Sequence, residues 1–215
     1  TLTLDAGNDV EIRRDISSTA GSFDFNATHK ISVGDLEPGD GATTFFPGSV
    51  TTVDGNIALT TSGDSVTIGD SSSVETTNGS ISVTAANDFN INSGGTLSNG
   101  SGMTTLSAAN EAFIATAGTL NVGTGGTTIS GNNVILNGPI SWMGAGDLTV
   151  EADEDVTVTN TLSGGDGNLT ITALDDVFFR SIASLNFPDG TITVTAGRLI
   201  EGGRDGVIRF GESGG

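Results

Sequence analysis

The chain has 215 residues, a net charge of -19 from 26 Asp and Glu against seven Lys and Arg, 33 glycines and no cysteine. So few cations exclude a nucleic-acid backbone or an anionic membrane as the main partner, and the missing thiols exclude disulfides and thiol chemistry. Charged residues are only 15% of the chain, no window carries a 3.6-residue apolar stripe, and no apolar run is long enough to span a bilayer, so helix is expected to be almost absent.

One phrase recurs from the first residues onward. Two aliphatic positions flank a polar one, a second polar residue follows, and a small residue closes the phrase, as in Leu169-Thr170-Ile171-Thr172-Ala173. Alternation of this kind marks a short strand with one buried face. The central position is Leu4, Phe25, Leu59, Val83, Leu106, Ile129, Val150, Ile171 and Val194, with spacings of 21, 34, 24, 23, 23, 21, 21 and 23. A period of this length is that of a stacked repeat. Two residues past each anchor stands Ala6, Ala27, Thr61, Ala85, Ala108, Gly131, Ala152, Ala173 or Ala196, a column that admits only small side chains and so marks a corner where neighbouring walls come close.

A second strand follows in each unit, with inward pairs such as Val10 and Ile12, Ile31 and Val33, Phe89 and Ile91, or Val177 and Phe179. Val66 and Ile68 fall one residue late, and Val134 and Leu136 about one early. A third, briefer apolar element is placed at Ile16, Leu97, Leu120, Ile140, Leu162 and Ile182. Three short strands per turn describe a right-handed parallel β-helix, an all-β solenoid of about nine coils forming one domain over residues 1–215. At one strand spacing per coil its length is on the order of 45 Å. Neither end offers a cap for the open sheet edges, so the chain is expected to be an excerpt of a longer solenoid or to meet other copies of itself.

Coil one, Leu2 to about Ser18, carries the basic pair Arg13-Arg14 at a corner. Coil two runs into the one large irregularity, residues 34–56, which holds Asp35, Glu37, Asp40, two prolines and the pair Phe45-Phe46. The expectation is a protruding loop with a return strand at Val50-Thr51-Thr52-Val53, and Phe45 and Phe46 are its candidate contact residues, since loops on a rigid scaffold carry binding. All four prolines, Pro38, Pro47, Pro139 and Pro188, are assigned to corners or loops.

Asn8, Asn87, Asn110 and Asn133 sit four residues past their anchors and read as a stacked ladder of amides along the axis, with His29 in the equivalent place. Trp142 follows Ile140 at strand spacing, which suits packing on the third face; a surface Trp that binds sugar is the alternative. Two outward ranks, including Thr170 and Thr172, Thr193 and Thr195, and Ser82 and Thr84, suggest the hydroxyl array of an ice-binding solenoid, but Asp5, Asp24, Asn26 and Glu151 interrupt them.

The final third is more acidic. Asp153-Glu154-Asp155 and Asp175-Asp176 occupy the same corner of neighbouring coils, which sets Asp155 beside Asp176 at about 5 Å. Two carboxylates so placed should attract a cation, with calcium in a structural role the natural candidate. The same pair is the best acid–base candidate for a polysaccharide lyase or hydrolase on this fold. The sequence offers such a site no partners: His29 is several coils away, and no Arg or Lys is assigned to the matching corner of an adjoining coil.

The phrase Leu-Thr-Ile-Thr-Ala followed by Asp-Asp-Val-Phe-Phe at 169–179, echoed at Leu2 to Ile12 and Ile81 to Ile91, resembles the repeat body of filamentous haemagglutinin-type exoproteins of two-partner secretion systems. The resemblance covers nearly all the chain except residues 34–56. The Asn-Pro-Asn-Gly and Asn-Pro-Asn-Leu type motifs of that family's secretion domain have no counterpart here. It implies a non-catalytic shaft segment of an adhesin, secreted or at the surface of a Gram-negative bacterium. Its export would be through an outer-membrane transporter, with a glycan or protein receptor or further copies as partners.

Overall fold

The computed structural model describes residues 1–36, 45–142, 145–180, 183–187, 189–202 and 207–210. Three parallel sheets of nine strands each run the length of the molecule. The first extends from Leu2–Ala6 to Ile192–Ala196, the second from Val10–Ile12 to Leu199–Gly202, and the third from Ile16–Ser18 to Val207–Phe210. The chain visits them in rotation, three strands per turn, and rises through about eight turns between the first and last strand of a sheet. No helix occurs among the described residues. The molecule is a parallel β-solenoid.

The anchor column is continuous. Leu4 is in register with Phe25, Phe25 with Leu59, and so on through Val83, Leu106, Ile129, Val150 and Ile171 to Val194. From Phe25 to Ile171 every member is at most 1% exposed. A fully buried aliphatic side chain of this size contributes about 1.5–3 kcal/mol, and the three sheets each supply such a column, which holds the coils in register. The small-residue column behaves as its composition requires: Ala85 pairs with Ala108 and Ala152 with Ala173, all buried. Thr61 is tolerated there because its hydroxyl donates to the Asp64 carbonyl (2.6 Å) and accepts from the Ala86 amide (3.2 Å).

The third-sheet column differs from expectation in one coil. Leu185, in register with Leu162 and Ile208, holds the place assigned to Ile182; Ile182 lies outside the described residues. The corner between second and third strands comes in two lengths. Where it is long, a backbone bond tightens the turn: Ser72 N to Gly69 O, Gly95 N to Asn92 O, Gly118 N to Ala115 O, and Ala183 N to Arg180 O. Coil eight uses the long form, which moves its apolar residue three positions on.

The excursion after coil two is also smaller than its sequence span. Ser49–Thr52 is no added strand but the regular third strand of that coil, paired in parallel with Ile16–Ser18 and Ser73–Thr76. The excursion leaves at Gly34, whose φ of 65° favours glycine, and is back at Gly48, where a Cβ would stand 2.1 Å from the Ile12 carbonyl oxygen. Between them Asp35–Leu36 and Phe45–Phe46 pair antiparallel as a short two-stranded arm. Pro47 and Pro139 lie outside strands as expected; Pro38 and Pro188 fall outside the described residues.

Candidate functional site

The corner between the first and second sheets carries His29 and the acidic pair Asp155 and Asp176. It forms where the small-residue column ends and the chain bends outward, so polar side chains four or five residues past each anchor stack from coil to coil. Their main chain makes a ladder, with Asn110 N bonded to Asn87 O and Asn133 N to Asn110 O, both at 2.9 Å. The side-chain amides do not bond to one another, contrary to the expected Asn ladder. They donate to carboxylates instead: Asn87 Nδ2 to Asp64 Oδ1 (3.4 Å), Asn110 Nδ2 to Asp88 Oδ1 (2.8 Å) and Asn133 Nδ2 to Glu154 Oε2 (3.0 Å). An ionised acceptor makes the stronger bond, so in a chain rich in Asp the amides turn toward it. Asn133 also leaves the column of Asn110. Its corner is one residue shorter, which pairs it with Glu111.

His29 holds the corner place predicted for it, its amide bonded to the Asn8 carbonyl at 3.0 Å. Its ring lies between two carboxylates, with Nδ1 2.8 Å from Asp9 Oδ1 and Nε2 3.4 Å from Asp64 Oδ2. The bond to His29, joined by the Lys30 amide, holds the Asp9 carboxyl below its ordinary range against the opposing effect of desolvation.

Asp155 and Asp176 are neighbours in adjoining coils, the Asp176 amide donating to Asp155 Oδ1 at 3.0 Å. The expectation that no basic residue stands at this corner is incorrect. Arg198, four residues past Val194, occupies it in the next coil and grips Asp176 with two bonds, Nε to Oδ1 at 3.0 Å and Nη2 to Oδ2 at 2.7 Å. Its Nη2 also stands 3.8 Å from Asp175 Oδ2. Such a bidentate pair is the strong form of the interaction. Arg198 lowers the pKa of Asp176 below the carboxylate norm, chiefly by hydrogen bonding, and its own pKa is raised in return. The signal was available in sequence, since Arg198 keeps the offset from its anchor that Glu154 and Asp175 keep from theirs. The guanidinium thus balances Asp176, one of the two carboxylates to which calcium was assigned. Among the described residues no group of three or more His, Cys, Asp or Glu side chains is arranged to hold a metal ion.

The remaining candidates are placed by backbone alone. Phe45 and Phe46 lie on the arm, in register with Leu36 and Asp35, and Trp142 lies on the third sheet in register with Val122. Their side chains fall outside the described residues. The two hydroxyl ranks do stack on the first sheet, Ser82 with Thr105 and Thr84 with Ser107, and Thr170 with Thr193. Besides the charged interruptions, Ala58 breaks the first rank between Asp24 and Ser82.

The third corner carries a device that the sequence reading missed. Thr52 and Thr76 are each followed three residues later by a glycine. Each hydroxyl accepts from that glycine's amide and donates to the glycine carbonyl of the coil before: Thr52 bridges Gly55 and Gly21, and Thr76 bridges Gly79 and Gly55. Asn99 instead clamps Gly102 within its own coil, its Oδ1 accepting from the Gly102 amide and its Nδ2 donating to the Gly102 carbonyl. The glycines stack so tightly that a Cβ on Gly79 would lie 1.8 Å from the Gly55 oxygen.

No family model matches the chain, and no curated protein or solved structure matches it either. The class that its geometry defines is the parallel β-solenoid repeat protein, consistent with a repeat shaft.

Proposed function

We propose that the chain is a structural, non-catalytic shaft segment of an exported or surface-attached bacterial adhesin or filament. The observation that carries this reading is the unbroken register of three parallel sheets through all nine strands of each. Its polar corner side chains bond from coil to coil, as in Asn26 to Asp5, Asn78 to Asp54 and Asn168 to Asp147. Side chains so used hold the rod together. The strongest acid–base candidate, Asp176, is 6% exposed and tied to Arg198. A general acid for glycoside cleavage needs a raised pKa, and Asp176 has a lowered one. The likeness of its repeats to the filamentous haemagglutinin-type shaft supports export across an outer membrane, and a cysteine-free acidic chain whose strands pair as each coil arrives suits such a route.

The test is turnover and shape together. The purified protein is incubated with pectins and alginates, and the parent molecule is imaged by negative stain. Rods with no cleavage of any polymer are expected. Robust cleavage that disappears in Asp176→Asn, or a compact particle in the images, would overturn the reading.

A further inference from the structure

A groove of about 670 Å³ runs along the third corner of coils one to four. Its floor is rigid. The hydroxyls of Ser18, Thr52 and Thr76 are consumed by the glycine turns, with the Gly21, Gly55 and Gly79 amides donating to them at 2.7–3.1 Å. One wall is the outward rank of the third sheet, where Ser17, Thr51, Glu75 and Ser98 are in register on successive strands. The other wall is formed past the corner by Thr19, Val53 and Thr77.

These walls differ from the neighbouring corner ladder. There Asn78 donates to Asp54 and Ser101 to Asn78, so the side chains satisfy one another between coils. Among the described residues, the side chains of Ser17, Thr51, Glu75, Ser98, Thr19 and Thr77 make no intramolecular hydrogen bond. Six polar groups with unused donors and acceptors thus line one groove over a fixed floor, and they repeat at about 4.8 Å along the axis.

We propose that this groove binds an extended, neutral glycan chain lying parallel to the solenoid axis. The charge selects neutrality. Glu75 stands in the middle of the groove, Asp54 lies beside its far wall, and no Lys or Arg is among the lining residues, so no cation in the groove offsets a uronate or sulfate. Polarity selects a sugar over a peptide. The middle strands of this wall, Ser49–Thr52 and Ser73–Thr76, are paired on both sides and offer no free backbone edge for strand addition. Val53 is the one apolar side chain in the lining, 41% exposed. A ligand that offers hydroxyls at short, regular intervals matches ranks of hydroxyls better than either. Glu75, as an acceptor only, takes two such hydroxyls and orients the chain.

The proposal deepens the attachment role given above, and its test is separable from that reading. The full chain is titrated by calorimetry and saturation-transfer NMR with soluble cello-, manno-, xylo- and galacto-oligosaccharides, and with pectin and alginate fragments as anionic probes. Binding of at least one neutral series is expected, with weaker or no binding of the anionic ones. A triple variant, Ser17→Ala with Thr51→Val and Ser98→Ala, should weaken it by at least about tenfold with the melting temperature unchanged, because these hydroxyls have no partner within the chain. Glu75→Gln should weaken it less, and Ser82→Ala with Thr105→Val on the first sheet should leave it unchanged. Failure of every neutral series to bind at millimolar concentration, preference for the anionic probes, or indifference to the triple variant would each overturn the proposal. Those outcomes leave the shaft reading standing, whereas polymer cleavage would overturn the shaft reading whatever the groove binds.

Discussion

Replacing Gly79 by alanine is the sharpest perturbation of the coil stack. The added methyl would sit 1.8 Å from the Gly55 carbonyl oxygen, 2.5 Å from its carbon and 2.9 Å from Thr76 Oγ1. An ordinary contact begins at 3.4 Å, so the two coils must part locally by about 1.6 Å, a third of the coil spacing of about 4.8 Å. Three bonds are lost in that movement: Thr76 Oγ1 to Gly55 O, Gly79 N to Thr76 Oγ1, and Ser80 N to Asn56 Oδ1, at 3.0, 3.0 and 2.8 Å. At about 1 kcal/mol net apiece the destabilisation is about 3 kcal/mol, a fall in midpoint of roughly 6–12 °C for a chain of this size. The control is Gly7→Ala, where a Cβ meets nothing within 4 Å and the change should stay within about 0.5 kcal/mol. Thermal and denaturant unfolding followed by far-ultraviolet circular dichroism compares the two, and hydrogen exchange locates the loss in coils three and four. Equal stability of the two variants would refute the glycine-stack argument.

Thr127 should be better replaced by valine. Its hydroxyl is buried without a protein partner, because Val122 stands where Asn99, one coil earlier, serves Thr104 at 3.0 Å. Thr127→Val is expected to gain about 1 kcal/mol and to raise the melting temperature; a fall would show that the hydroxyl is satisfied. Arg198→Ala should destabilise the C-terminal coils at neutral pH and change the acid limb of the stability profile. Asp176 and Asp9 have lowered folded pKa values, so their contribution is full above the ordinary carboxylate range, about 3.9, and is lost as pH falls through the depressed folded values. The variant should lose the Asp176 part of that slope, and an unaltered acid limb would contradict the pairing. Millimolar calcium should raise the melting temperature of Arg198→Ala more than that of the parent, since only the variant leaves Asp176 without its guanidinium; equal shifts would deny Arg198 that role.

The inward columns were legible because burial on a pleated strand permits only apolar residues at alternate positions, and nine repetitions average out local noise. Leu4 to Val194 and Val10 to Phe179 were readable for this reason. Corners were less legible because their length varies without disturbing the columns. The long corner between Phe179 and Leu185 is masked in the sequence, since Ile182 offers an apolar residue three positions too early. Side-chain partners were least legible. Asn110 turns to Asp88 and Arg198 to Asp176 through contacts between coils, over 20 residues apart in sequence, and only the exact register decides which pairs meet. The Thr-x-x-Gly turns at Thr52 and Thr76 carried a sequence signal, obscured by the general abundance of Thr and Gly.

Cross-linking between coils tests the central claim most directly, and the absence of native cysteine makes it clean. Ser107 is in register with Ser130, and Thr170 with Thr193, which sets each pair of Cα atoms at about 4.8 Å, within disulfide range. The doubles Ser107→Cys with Ser130→Cys, and Thr170→Cys with Thr193→Cys, should oxidise to intramolecular disulfides nearly completely. Ser107→Cys with Glu151→Cys, two coils apart, should not. Failure of the adjacent pairs, or equal closure of the distant one, would contradict a parallel stack in this register.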